Sequence, residues 1–226
     1  MDMSKKKIFV LLFVLVLFVS YYSFAGSEPK FLKYYFSILG IRAGEANVNI
    51  ERSETNIRAI STIKTYPGTK PFVYADDLVI SYIDPKTLRT IKRESYSVEK
   101  DLKDTNFVFF DRGKNLVIVD SIFFGDTVIY NTNDTINDLA TEIIRTMYWE
   151  KLPDEFFVNF LEVTNSRYIS FSRMKGTRYR INGIKGGYIE LTNIGGYYIF
   201  SKANIPVFYL FPFGDISIYV ELGGVE

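Results

Sequence analysis

Carboxylates are the main residues that could do chemistry in this chain, because two common catalytic side chains are missing. The sequence of 226 residues contains no histidine and no cysteine. Histidine is the usual general base near neutral pH and the commonest metal ligand, and cysteine supplies thiolate nucleophiles, disulfides and sulfur ligands for zinc. A Ser-His-Asp site, a Cys-His site and a lipid-modified cysteine are therefore excluded. Lysine, tyrosine, serine and threonine remain beside the carboxylates.

Two acidic segments are candidates for metal binding or acid-base work. Asp76-Asp77 follows the loop-like stretch YPGTKPFVYA, but adjacent strand residues point to opposite faces and no second acidic pair is evident, which favours a solvated turn. The stretch NTNDTIND, residues 131–138, lacks the central glycine and distal glutamate of a calcium loop. Asp134 or Thr135 suits a helix cap better. We therefore predict no catalytic residue, no metal ligand and no cofactor.

A third candidate is the kink between Gly40 and Gly44, which separates two strand-like segments. In one reading the kink presents Arg42 and Glu45 as a charged pair, and the glycines let a ligand approach the backbone. In the other, the glycines permit a tight reversal or a bulge, and both charged side chains are solvated. The second reading is favoured, because a phosphate-binding loop needs more glycines and a following helix.

The chain begins with the features of a signal peptide. Lys5–Lys7 form a positive segment, Ile8–Val19 form an apolar run, and Ser23-Phe24-Ala25 places small residues where a signal peptidase reads the chain. We predict a signal peptide over residues 1–25, with cleavage after Ala25.

The alternative is an uncleaved membrane anchor, since the apolar stretch could extend through Tyr21 and Tyr22 towards the length of a span. Both alternatives predict an exported chain with the periplasm as its destination. Cleavage would limit membrane contact to a transient one through the signal peptide, and residues 26–226 would form a single β-rich domain.

Composition narrows the classes of partner. The 27 basic and 26 acidic residues nearly cancel, so no overall field attracts nucleic acid, and we predict no nucleic-acid partner. Hydrophobic residues make up 47% of the chain and aromatic residues 17%, a composition that suits half-buried strands.

Alternation of apolar and polar residues is the dominant pattern after the signal. It is clear in GEANVNIE and again in DISIYVE near the C-terminus, and short turns such as Asp84-Pro85-Lys86-Thr87 separate the runs. Short connections favour antiparallel neighbours. The exception is the segment 135–150, where apolar residues follow helical spacing and Glu142 and Arg145 are expected to face outward. The apolar stripe consists of Ile136, Leu139, Ala140, Ile143, Ile144, Met147 and Tyr148.

These elements predict a mostly β fold, in which a curved antiparallel sheet, open or half barrel, packs around one amphipathic helix near 135–150. A closed barrel is the second architecture. A curved sheet with a helix across it could enclose an apolar cavity, but the favoured explanation of the aromatic residues is ordinary core packing together with tyrosines on strand surfaces. The aromatic residues concerned are Phe107, Phe109, Phe110, Tyr197, Tyr198, Phe208, Tyr209, Phe211 and Phe213.

The segment Leu39–Ala46, LGIRAGEA, resembles the opening block of domain-of-unknown-function family 3108, which consists of exported bacterial envelope proteins. SYIDPKTLRTIKRESYSVEK and KANIPVFYLFPFGDISIYVEL look like two further blocks of that family, and the helix occupies the corresponding place. The Trp-containing strand expected late in the family is replaced by GGYYIFSK. The resemblance implies an exported β-rich protein and carries over no catalytic residues.

Three functions stay open from the sequence. The preferred one is a non-catalytic binding module for an apolar or lipid-like small molecule, with the helix stripe as lid or wall. The alternative is an envelope assembly or scaffold protein that contacts a protein partner through an edge strand or an aromatic patch. An enzyme is the third, and least favoured without histidine and cysteine.

Overall fold

The structure is a computed structural model. It describes residues 28–70, 76–99, 102–122, 125–132, 136–162, 165–207 and 216–226. The predicted signal peptide and its cleavage after Ala25 lie outside these residues, as do Asp134, Thr135, Phe208, Tyr209, Phe211 and Phe213.

One antiparallel sheet of fourteen strands makes up most of the described chain. The strands are β1 Phe31–Ile38, β2 Ile41–Arg52, β3 Ile57–Thr65, β4 Asp76–Ile83, β5 Thr90–Glu99, β6 Leu102–Asp111, β7 Leu116–Ser121, β8 Asp126–Asn131, β9 Glu155–Glu162, β10 Asn165–Lys175, β11 Arg178–Ile181, β12 Tyr188–Ile194, β13 Tyr197–Val207 and β14 Ile216–Val225. A single α-helix, α1, spans Leu139–Met147 within the described residues, and Pro67–Thr69 form a short 3-10 turn.

The sheet consists of two meanders, β1–β8 and β9–β14, which are joined by the pairing of β1 with β14. Its strand order is β8-β7-β6-β5-β4-β3-β2-β1-β14-β13-β12-β11-β10-β9. The first and last strands pair with each other in the centre of the sheet, whereas β8 and β9 are its two edges. The connection between these two edges contains α1. The sheet is therefore curved and open, which confirms the predicted fold class and rules against the closed barrel.

Helix α1 lies against the inner face of the sheet. It contacts β3 and β4 on one side of the central pair and β9 and β13 on the other, so the sheet must curve around it. Strand alternation explains this inner face, because Val48 and Ile50 of β2 point inward and belong to the same buried apolar cluster as Ile144 and Met147 of the helix. Two further apolar clusters continue the inner face along β9–β12 and along β6–β8. No helix among the described residues is long and apolar enough to cross a membrane.

The helix is shorter than predicted, and its cap is a different residue. It begins after Asp138, whose carboxylate accepts a hydrogen bond from the backbone N–H of Thr141 at 2.9 Å. The prediction that Glu142 faces outward is wrong, because β9 covers that side of the helix and buries the side chain. Leu139 of the predicted stripe is instead 52% exposed.

Candidate functional site

A cleft of about 270 Å³ opens between one face of α1 and the start of β9. Helical spacing of three to four residues puts its helix residues on one face. Small-molecule sites commonly measure about 300–1,000 Å³, so this cleft has room for one apolar group and not for a whole lipid. The lining residues are Glu142, Arg145, Thr146, Trp149, Pro153, Glu155, Phe156, Phe157 and Val158.

The floor of the cleft is a packed group of aromatic rings. Trp149 meets Phe156 edge-on, with ring centroids 4.9 Å apart. Phe156 in turn stacks on Phe171 at 4.5 Å and lies edge-on to Tyr179 at 5.0 Å. The hydroxyl of Tyr179 donates a hydrogen bond of 2.7 Å to the carbonyl oxygen of Pro153, which fixes the loop before β9. These contacts give the cleft a rigid apolar floor.

Glu142 and Arg145 form the polar wall. Arg145 Nη1 donates to both carboxylate oxygens of Glu142, at 2.9 and 3.1 Å, and Asn137 Nδ2 donates to Oε1 at 2.7 Å. Burial raises the pKa of the Glu142 carboxyl, and the lowering by Arg145 and Asn137 only partly opposes this. Arg145 is exposed at the rim, where a guanidinium presents its remaining donors to solvent or to an anionic group.

A buried polar cluster behind this wall holds the helix in place. Asp138 accepts hydrogen bonds from Ser81 of β4 at 2.9 Å, from Thr90 of β5 at 2.8 Å and from the hydroxyl of Thr141 at 2.6 Å. The buried Arg93 places a positive charge near Asp138. Burial lowers the pKa of its guanidinium, and the negative charge of Asp138 partly opposes this. The carboxylate is thus satisfied on all sides and belongs to the scaffold of the site.

Asn137 forms hydrogen bonds to both sides of the gap between the two edge regions of the sheet. Its backbone N–H donates to the carbonyl oxygen of Asn159 in β9 at 3.0 Å. Its side-chain Oδ1 accepts from the backbone N–H of Thr90 at 3.1 Å and from Arg112 Nη2 at 2.9 Å. One residue therefore links β9 to the start of β5 and to the β6–β7 turn, and its Nδ2 donates to Glu142 in the cleft.

The kink at Gly40–Gly44 is a tight reversal followed by a bulge, as the favoured reading predicts. Leu39 and Gly40 form the two-residue turn with positive φ values of 53° and 76°. The register passes from Phe36 opposite Gly44 to Ser37 opposite Arg42, which leaves Ala43 as the extra residue. The bulge frees the Ala43 carbonyl, which accepts from Thr69 Oγ1 at 2.7 Å and from the N–H of Tyr66 at 2.8 Å.

Arg42 and Glu45 do not form a pair at this kink. Glu45 binds Lys33 at 2.9 Å, and this hydrogen bond is the main reason why its pKa is lowered. The guanidinium of Arg42 lies over the ring of Tyr35, 3.9 Å from its centroid. The part of the favoured reading in which both side chains are only solvated is therefore wrong, because both serve local strand contacts, and the structure brings neither to the cleft.

Asp76 and Asp77 do not lie in a turn, which corrects the favoured reading of that segment. They begin β4, where they pair with Lys64 and Ile63 of β3 and with β5 on the other side. Asp76 is exposed and Asp77 is half-buried. Within the described residues, no group of three acidic side chains is placed to hold a metal ion.

The predicted helix stripe belongs mostly to the core. Ile136, Ala140, Ile144 and Met147 are buried, but they pack against the sheet and do not line the cleft. Of the aromatic residues singled out in the sequence, Phe110 is buried whereas Phe109 is 46% exposed on the outer face. The cleft uses the rings of two other aromatic residues, Trp149 and Phe156, which sequence patterns do not distinguish from ordinary core residues.

Comparison with known proteins identifies the fold only. No family model matches the chain, and no curated protein matches it. Among solved structures it is similar to the crystal structure of a β-barrel-like protein of domain of unknown function DUF1849 from Brucella abortus, with 9% sequence identity, a TM-score of 0.50, and coverage of 88% of this chain and 97% of that one. The likeness is thus to a β-rich domain of unknown function and not to family 3108 specifically. The chain has the fold of a β-barrel-like domain whose function is not known.

Proposed function

We propose that this chain is an exported, non-catalytic binding protein of the cell envelope that holds an apolar or lipid-like group in the cleft between α1 and β9. The observation that carries the proposal is the cleft itself, with its aromatic floor of Trp149 and Phe156 and the exposed cation Arg145 at its rim. The features of a signal peptide before Ala25 and the resemblance of Leu39–Ala46 to family 3108 support the envelope location.

The lining residues favour a ligand with an apolar chain and a polar or anionic head. Val158 and the edge of Trp149 offer apolar surface to the chain. In the described part of the structure, Arg145 contacts Glu142 through Nη1 alone, so Nε and Nη2 can donate to a carboxylate or phosphate head. The apolar clusters pack the inner face of the sheet, so we expect one end of the ligand to enter and the rest to stay outside.

Intrinsic fluorescence tests this proposal, because Trp149 is the only tryptophan in the chain. We expect titration with palmitate to shift the Trp149 emission in a saturable way as the acyl chain covers the indole. Arg145→Gln should weaken the affinity by roughly tenfold, since it removes the cation that faces the carboxylate head at the rim of the cleft. Arg178→Gln is the matched control, because the Arg178 side chain has a similar exposure, 48% against 43%, and also pairs with a glutamate at 2.9 Å, but lies on β11 away from the cleft. Unchanged emission at saturating palmitate would contradict the proposal.

A second candidate function is contact with a protein partner through an edge strand. One observation favours it: β8 is an edge of the sheet, and its residues Val128 and Ile129 are 38% and 60% exposed. This surface shares no residue with the cleft, so the two functions are separable by mutation.

A further inference from the structure

The free edge of β8 offers unpaired backbone groups at known positions. Thr132 donates its N–H to the carbonyl oxygen of Asn115 at 2.9 Å, at the end of the β7–β8 ladder. Because residues of an antiparallel strand alternate between bonding towards one neighbour and towards the other, the even-numbered residues of β8 bond to β7. The backbone groups of Thr127, Ile129 and Asn131 therefore point away from the sheet, where the described residues place no further strand.

An apolar row on the outer face ends at this same edge. Phe109 of β6 is paired with Ile118 of β7, and Ile118 is paired with Ile129 of β8. Paired residues of antiparallel strands share a face, so these three side chains form one continuous row. Ile129 is its most exposed member. Natural sheets usually protect such an edge with charges or proline, but the only charged residue of β8 is Asp126 at its beginning.

We propose that β8 pairs antiparallel with β8 of a second copy of this chain, with Ile129 opposite Ile129 across a two-fold axis. Only the odd-numbered residues have free backbone groups, so a symmetric ladder must place these residues opposite one another. The register centred on Ile129 is the symmetric one that pairs all three of them. Val128 then lies opposite Tyr130, and Thr127 lies opposite Asn131.

This register is self-complementary in charge and in shape. Asp126 faces Thr132 and not the second Asp126, so no like charges meet. The row Phe109–Ile118–Ile129 meets its own copy end to end, which covers the exposed Ile129 side chains. The free backbone groups of β8 can pair with another extended strand, and the apolar row beside them favours a partner strand with the same apolar row beside it, as a second copy of this chain has. The inference deepens the second candidate function and rests on it, not on the cleft.

Sedimentation of the intact chain isolated from the exported fraction tests the proposal. We expect a monomer–dimer equilibrium, and Ile129→Lys should raise the dissociation constant by roughly tenfold or more, because it places two charges opposite each other. Ile41→Lys is the matched control: Ile41 is 63% exposed, against 60% for Ile129, but lies at the β1–β2 turn. A protein that stays monomeric, or a dimer that Ile129→Lys leaves unchanged, would overturn the proposal. If β8 instead holds a different protein, the chain alone would sediment as a monomer, which overturns the second copy as occupant.

A cysteine variant tests the register directly, because the chain contains no cysteine of its own. In the proposed ladder the Cα atoms of the two Ile129 residues lie about 5.5 Å apart, which is within the range of a disulfide. We expect Ile129→Cys to form a disulfide-linked dimer under mild oxidation and Ile41→Cys to remain monomeric. Equal cross-linking of both variants would overturn the register. Palmitate binding to the Ile129 variants should stay as in the wild type, so failure of this inference is distinguishable from failure of the cleft proposal.

Discussion

Thr90 on β5 and Asp138 before α1, which are 48 residues apart in sequence, are joined by two buried hydrogen bonds. Thr90 Oγ1 donates to Asp138 Oδ2 at 2.8 Å, and the backbone N–H of Asp138 donates back to Thr90 Oγ1 at 3.0 Å. Both residues are about 1% exposed. The two bonds fix the start of the helix, which forms one wall of the cleft, on the sheet.

Replacement of Asp138 by alanine should therefore destabilise the whole domain. The change removes the helix cap, leaves the hydroxyls of Ser81 and Thr90 without their acceptor, and removes the negative charge that stabilises the guanidinium of Arg93. We expect a loss of about 3 kcal/mol in the free energy of unfolding, measured by urea denaturation. Asp126→Ala, at an exposed position of β8, should change it by less than about 0.5 kcal/mol. Equal effects of the two substitutions would contradict the role given to Asp138.

Gly44 should not accept a side chain. A Cβ atom there would overlap the ring of Phe36 and the backbone carbonyl oxygen of Lys64, so Gly44→Ala should cost about 2 kcal/mol in unfolding free energy. Gly68→Ala is the control, because nothing lies within 4 Å of its Cβ position and its φ is not positive. We expect this second change to be neutral or slightly stabilising. A Gly44→Ala protein as stable as the Gly68→Ala protein would contradict the packing of Phe36 against Gly44.

Removal of the Tyr34 hydroxyl should not weaken the protein. Tyr34 is buried in the core, burial raises the pKa of its phenol, and its oxygen has no hydrogen-bond partner among the described residues. Tyr34→Phe should therefore leave stability unchanged or raise it by about 1 kcal/mol. Tyr179→Phe should lower stability by about 1 kcal/mol, because it removes the bond to the Pro153 carbonyl oxygen. Thermal unfolding of the two variants side by side checks the opposite signs.

Glu142 should make stability depend on pH in the direction opposite to an ordinary paired carboxylate. Because burial raises its pKa, its contribution is complete below the unfolded-state pKa and is lost as pH rises through the folded-state pKa. Glutamine cannot ionise, so the stability of Glu142→Gln relative to wild type should increase from about pH 4 to about pH 7.

Glu45 provides the matched comparison for this titration. Its hydrogen bond to Lys33 lowers its pKa, so its contribution is present above the unfolded-state pKa and is lost as pH falls. Glu45→Gln should therefore lose stability relative to wild type over the same increase in pH. Urea denaturation at both pH values measures the two differences, and a shared sign would contradict the burial of Glu142.

The sequence predicts the sheet well because the signal for a half-buried strand is local. Val48 and Ile50 alternate with polar residues, and the structure buries both. The amphipathic helix is also predicted from local spacing, but its first residue is not. Its cap is Asp138, because the carboxylate of Asp138 is held by hydrogen bonds from Ser81 and Thr90 of distant strands. A window of helical spacing contains no information about such partners.

The cleft is not predictable from the sequence, because its walls are brought together by long-range packing. Helical spacing puts Glu142 opposite the apolar stripe and so predicts an exposed side chain, but β9 covers that face and makes it a buried wall residue. Asp76-Asp77 fails for the same reason, since pairing with β3 turns a loop-like composition into a strand.

Native mass spectrometry of the gently purified protein, paired with lipid extraction, tests the cleft as a binding site most directly. We expect a bound apolar molecule at a ratio of one to one with the wild-type chain and with Arg178→Gln. We expect a marked loss of this mass in Arg145→Gln, which removes the cation at the rim of the cleft. A protein that carries no bound mass and takes none up from added palmitate, or one in which Arg145→Gln retains the mass fully, would contradict the cleft as a binding site.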